Sequence, residues 1–269
     1  MPAAFRRVAL IGKLRSTDIA TSLRELSDFL AKRGCEVLLE QDTAADLGSR
    51  GADYDTIGKN ADLAIVLGGD GTMLAAARNL VRHRVPVIGV NQGRVGFMTD
   101  IGHDDMQRGI GAVLDGKYSI EERALIEAEI RRGANCILRT IALNEAVVSK
   151  GAQGRLIEFD LSLDGEFIYK LRGDGMIVAT PTGSTAYALS AQGPILHPAV
   201  PAFALVRAVD ARAHFDGFAL TDMAQGDKLL LKRSADTVRF VHPPGYRYFA
   251  TLREKLRWSE VLDKIREIE

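Results

Sequence analysis

The chain is predicted to be α/β, with an N-terminal parallel-sheet domain followed by a β-rich domain. Three observations predict it. Over the first ninety residues, short β-branched runs alternate with stretches of helical spacing, the grammar of a parallel sheet with crossover helices. Beyond about residue 115 the apolar period falls to two, which suits antiparallel or mixed strands. Finally, two glycine- and hydroxyl-rich corners, GGDGT (68–72) and PTGST (181–185), each follow an apolar run.

The first strand is RRVALIG (6–12), apolar and ending in glycine. Ile19, Leu23, Leu26 and Leu30 then recur at helical spacing, with Gly34 where a C-terminal cap belongs. EVLLE (36–40) is a second strand, and ADLAIVLGG (61–69) is the strongest buried-strand signal. A helix is predicted from Met73 to about Val81, and VPVIGVN (85–91) is the next strand. Residues 1–115 are therefore expected to form a Rossmann-like domain, in which ligands collect at the carboxyl ends of the strands.

Strands are also predicted at 124–131, 138–149, 175–180, 228–232 and 237–241. Between them, LIEFDLSLDGEFIYKL (156–171) alternates about an Asp164-Gly165 hairpin turn. These make a β-rich domain over 116–245, with a helical tail, 246–269, expected to pack back on the first domain. No internal repeat is present.

The 269 residues suffice for one large or two modest domains, and 46% hydrophobic with 26% charged residues argues against disorder. Lys+Arg and Asp+Glu are 35 each, so no polybasic footprint suggests nucleic acid or an anionic membrane as partner. Cys35 and Cys136 stand far apart without a CxxC, which argues against disulfide or zinc scaffolds and for a reducing cytoplasm. No apolar run is long enough to span a bilayer, and VALIG (8–12) is too short for a signal-peptide core.

In Gly68-Gly69-Asp70-Gly71-Thr72, glycines bring N–H groups against a bulky anion and the following helix adds a positive dipole end. Such a loop suits phosphate, although a plain strand-to-helix turn has the same letters. It is no Walker loop, since the lysine-plus-hydroxyl ending is missing. Asp70, with no Lys or Arg in the loop, fits a general base that deprotonates a hydroxyl attacking a phosphoryl group.

In Pro181–Ser190, small hydroxyls leave room for a ligand, Ser184 is placed as a helix N-cap, and Tyr187 could stack on a base. A simple capped helix is the plainer reading. Asn144-Glu145 interrupts the apolar strand TIALNEAVV (140–148); such a pair suits ribose hydroxyls or an edge facing water. The histidines lack metal-ligand spacing, and Arg123, Arg131 and Arg132 are expected on a solvated face.

GGDGT, NQGRVGFMTD (91–100), LNEAVV (143–148) and DGMIVATPTGSTAYALSAQGPI (174–195) together resemble the ATP–NAD kinase family, bacterial members especially. The resemblance covers nearly the whole chain; GGDG alone is shared with other kinases. It implies transfer of the ATP γ-phosphoryl to the 2′-hydroxyl of the adenosine ribose of NAD, with Mg²⁺, in the cleft between the two domains. By motif, Asp70 would be the proton acceptor, and Gly68, Gly69, Gly71 and Thr72 the phosphate-side loop. Asp70, Gly71, Asn144 and Glu145 would hold the dinucleotide, the last two by ribose hydroxyls. Asp174 would face the nicotinamide side, and Thr185, Ala186, Tyr187 and Ser190 the adenine and ribose. Phe97, Arg155 and Arg172 fall on family positions near the dinucleotide. No metal ligands are implied, and a homodimer or homotetramer is.

Against the family's usual length, about 30 residues are missing near Val206–Arg212. That leaves two other readings open: a non-catalytic NAD(P)-binding protein, and a lipid or sugar kinase using the same GGDG loop. The neutral charge speaks against the lipid version.

Overall fold

Four parallel strands lie side by side at one end of an eight-stranded sheet in a computed structural model that describes residues 4–12, 17–93, 96–150, 156–208 and 214–256. They are β1 (Arg7–Gly12), β2 (Glu36–Leu39), β3 (Leu63–Leu67) and β4 (Val87–Asn91), in the order β2-β1-β3-β4. A short β5 (Ile101–Gly102) pairs with β4. The chain divides into two units, residues 1–122 with 238–269, and residues 123–237.

Every residue of β3 and β4 is buried, as expected of strands covered on both faces. Leu63, Ile65, Ile88 and Val90 pack with Leu23, Leu26 and Leu30 of α1 (Thr17–Lys32) and with Ile110 and Val113 of α5 (Met106–Leu114). Full burial of each such side chain is worth about 1.5–3 kcal/mol. Gly34 closes α1 as expected, at φ 78°, with N–H bonds from Cys35 to Leu30 and from Gly34 to Ala31.

In the first unit, differences from expectation lie at the helices. α4 (Asp70–Leu80) begins three residues earlier than Met73, because Gly69 serves as its N-cap and the helix absorbs the end of the GGDGT loop. α2 (Gln41–Asp46), α3 (Tyr54–Asn60) and α5 were not foreseen. The first two are only 6 and 7 residues long, and α5 hides its periodicity behind Gly109 and Gly111.

In the second unit, β6 (Ser119–Arg132) pairs antiparallel with β7 (Asn135–Ala142) from Ile126↔Ala142 to Arg132↔Asn135. β8 (Glu145–Ser149), β11 (Gly175–Ala179), β12 (Ala204–Ala208), β13 (His214–Phe215) and β14 (Ala219–Leu220) form a five-stranded sheet, ordered β12-β11-β8-β13-β14. β9 (Ile157–Leu163) and β10 (Glu166–Gly173) are the expected hairpin, with Asp164 at φ 52° and Gly165 at φ 85° in its turn.

The single strand expected at 138–149 is two, broken at Leu143-Asn144. The two strands expected at 228–232 and 237–241 are one, β15 (Lys228–His242), whose Phe240 pairs with Val87 in the first unit. Between β11 and β12 lies a short α6 (Tyr187–Ser190), and α7 (Tyr248–Lys255) ends the described chain. The tail beyond residue 256 lies outside the described residues, as do Arg155 and residues 209–213. Of the expected solvated arginines, Arg123 is buried instead, while Arg131 and Arg132 pair with Glu129 and Asp227.

Candidate active site

Asp70 is the first residue of α4, where the free amides of a helix start favour negative charge. Both of its oxygens are held by backbone: Phe97 N–H donates to Oδ2 at 2.9 Å, and Met98 N–H to Oδ1 at 3.0 Å. Among the described residues no cation pairs with this half-buried carboxylate. Each oxygen keeps a lone pair free for a proton or a hydroxyl. The Thr99 hydroxyl, accepting from the Gly96 amide at 2.8 Å and the Asn91 side chain at 3.1 Å, fixes the segment that supplies these amides.

The glycines ahead of Asp70 act as the loop requires. Gly68 adopts φ 154°, and a Cβ there would lie 2.7 Å from the Thr72 hydroxyl. Gly69 and Gly71 are exposed, and the amides of Gly69, Asp70 and Gly71 meet no backbone acceptor among the described residues. Three open N–H groups at a helix start make an anion seat.

The second unit gathers Asn144, Glu145 and the 181–185 turn. Asp216, seventy-odd residues away in sequence, accepts the amides of Leu143, Asn144 and Glu145 at 2.8, 2.7 and 3.0 Å. This carboxylate turns the chain between β7 and β8, which is why the strand breaks at Leu143-Asn144 and resumes at Glu145. Thr180 bonds the carbonyls of Leu143 and Asn144, through its hydroxyl at 2.5 Å and its amide at 2.9 Å. Gly183 packs so closely that a Cβ would lie 2.0 Å from the Asn144 carbonyl oxygen.

Asn144 and Glu145 are buried, not edge residues facing water. Among the described residues, Asn144 Oδ1 and Glu145 Oε2 have no hydrogen-bond partner. Buried polar atoms left so are costly unless something else satisfies them. Burial, and then the neighbouring Asp216 charge, raises the Glu145 carboxyl to about 8.

The other expected residues are placed as follows. Thr185 and Ala186 continue from Gly183, with the Thr185 hydroxyl donating to the Thr182 carbonyl at 3.1 Å. Tyr187 opens α6, its ring 5.9 Å from that of His214, and Ser190 closes α6. Ser184 does not cap a helix: it is buried, donating to Pro181 O at 2.6 Å and accepting from Leu196 N at 2.9 Å. Asp174 is ion-paired with Lys150 at 2.5 Å. It adjoins Gly175, which pairs with Ser149, while Ala179 at the other end of β11 pairs with Glu145. Four residue steps along the strand, about 13 Å, separate those two pairs. Arg172 is exposed on β10 opposite Glu158, in the hairpin rather than in the five-stranded sheet. Gly96, Met98, Thr180 and Asp216 were missed; Asp216-Gly217 is a turn signal, yet nothing in the letters says which backbone its carboxylate meets.

A parallel-sheet unit with open amides at a strand-to-helix turn, together with a β-rich second unit, fits the class of nucleotide-dependent phosphotransferases. Family models match twice: the ATP-NAD kinase N-terminal domain over residues 8–118 and the ATP-NAD kinase C-terminal domain over 143–217. The NAD kinase of Aromatoleum aromaticum is 51% identical, over 96% of each chain. That of an Azoarcus strain is 49% identical, over 97% of this chain and 99% of its own. Among solved structures, an Archaeoglobus fulgidus NAD kinase in complex with ATP superposes at TM-score 0.73 and 25% identity, covering 93% of this chain and 98% of its own. The fold is also that of yeast NADH kinase complexed with NADH, at TM-score 0.81 and 22% identity, over 90% and 84% of the two chains. The chain belongs to the ATP–NAD kinase family, and NAD kinase is its function.

Proposed function

We propose that Asp70 is the base of the transfer: it accepts the proton of the adenosine-ribose 2′-hydroxyl of NAD as that oxygen attacks the γ-phosphorus of ATP, giving NADP and ADP. The observation that carries this reading is the Asp70 carboxylate, held at both oxygens by backbone amides with lone pairs to spare. A base held in one orientation lowers the barrier chiefly by positioning. The open amides of Gly69, Asp70 and Gly71 take phosphate oxygens, with Gly68 and Thr72 shaping the loop. Asn144 and Glu145 hold ribose hydroxyls with their unpartnered oxygens, Glu145 in its neutral form also donating. Thr185, Ala186, Tyr187 and Ser190 line the adenosine, Asp174 the nicotinamide side, and Phe97, Arg155 and Arg172 the rest of the dinucleotide.

Among the described residues no cluster of three or more acidic, histidine or cysteine side chains could cage a metal ion. Mg²⁺ would arrive on the triphosphate, as the ion often keeps waters and phosphates as ligands. Bound so, it would neutralise charge on the transferring group. Cys35 and Cys136 are both unpaired, which accords with a cytoplasmic enzyme, and no described helix is long and apolar enough to cross a membrane. As in the family, the working form is a homodimer or homotetramer. Incubation with NAD, ATP and Mg²⁺, followed by a cycling assay for NADP, tests the reading. No NADP above blank from folded protein would reject catalysis, and tight NADP binding without turnover would favour a binding protein.

A further inference from the structure

His242, at the end of β15, belongs to none of the motifs assigned above. Its side chain is 3% exposed, and Nδ1 stands 2.5 Å from Oδ2 of Asp100, itself 8% exposed. One ring face stacks on Tyr246, with centroids 3.7 Å apart and planes 8° apart, and Phe240 lies at 6.5 Å. Among the described residues Nε2 makes no hydrogen bond, and it lies 3.7 Å from Oε2 of Glu121 on β6.

Asp100 ends the segment that grips Asp70. Met98, two residues earlier, donates its amide to Asp70 Oδ1, and Phe97 donates to Oδ2. That segment is pinned from two strands: Asn91 of β4 bonds the Thr99 hydroxyl, and His242 bonds Asp100. We propose that His242 is a positioning residue for phosphoryl transfer: its bond to Asp100 holds residues 96–100 where the Phe97 and Met98 amides orient the Asp70 carboxylate. The proposal rests on the reading of Asp70 as base. A buried aromatic stack would need only a flat ring, whereas a grip transmitted to Asp70 needs a donor at Nδ1, and the two make different demands on a substitute.

The test measures kcat and the KM values for NAD and ATP in His242→Leu, His242→Asn and His242→Gln. Each is also made in an Asp70→Asn background, with folding checked by melting temperature. An asparagine amide reaches about where Nδ1 stands, whereas glutamine places its amide near Nε2. His242→Leu should lower kcat about tenfold or more with both KM values within about threefold, and His242→Asn should recover most of the loss. In the Asp70→Asn background the leucine change should cost less than about twofold, because there is no base left to orient. If His242→Leu fails to fold, the asparagine and glutamine variants decide: kcat kept in the first and lost in the second supports the proposal, and equal kcat overturns it. A loss of the same factor in both backgrounds also overturns it. Undiminished turnover in Asp70→Asn would instead remove the base reading itself, whatever the His242 variants do.

Discussion

Gly96 stands so close to Asp70 that a Cβ on it would lie 2.0 Å from the Asp70 Oδ1 atom. The close approach lets the next two amides close on both carboxylate oxygens. A glycine 26 positions from Asp70 is thereby part of how that carboxylate is held.

Gly96→Ala should therefore damage activity more than stability. The methyl must push the carboxylate or the 96–98 segment aside, at about 1–3 kcal/mol for such overpacking. Turnover is expected to fall at least about tenfold while the melting temperature drops by only a few degrees. Steady-state kinetics with a thermal melt of the same preparation checks this, and wild-type turnover would contradict it.

Asp216→Asn tests how the Asn144-Glu145 corner is built. Three amides converge on that carboxylate, and bonds to charged groups are worth about 1.5–3 kcal/mol each. The expected result is lower stability together with a raised KM for NAD and little change in KM for ATP. A KM for NAD unchanged in folded protein would remove Asp216 from the account.

Glu145 gives a pH prediction. Its carboxyl is raised from 4.5 to about 8, first by burial and then by Asp216, so the folded state binds this proton more tightly than the unfolded chain does. Its contribution to stability is fully present below pH 4.5 and is lost as pH rises toward about 8. Glu145→Gln, which cannot ionise, should lack that loss. Denaturant melts from pH 5 to 9 should show wild-type stability declining relative to the variant, and parallel curves would contradict the assignment.

What the letters carried and what they did not follows from the range of the interactions. β3 and β4 were plain because strands buried on both faces need unbroken apolar runs, and LAIVL and VIGVN supply them. The Asp164-Gly165 hairpin was plain because its turn chemistry is local. α5 was not, since Gly109 breaks the pattern for the sake of packing: a Cβ there would lie 2.9 Å from the Ile101 side chain. In the site, Asp70, Asn144 and Glu145 stood out as polar residues against apolar runs, whereas the groups that hold them did not. Asp216 meets backbone amides 71 to 73 residues away, and Gly96 makes room beside a side chain 26 residues away; a backbone amide has the same letter whatever it meets.

The most direct measurement of the central claim is the rate of NADP formation by Asp70→Asn with saturating NAD, ATP and Mg²⁺. The amide cannot accept the proton, and its NH2 can no longer accept one of the two backbone amides, so turnover should fall by about 10²–10⁴-fold while NAD still binds. Turnover within a few-fold of wild type would contradict Asp70 as the base.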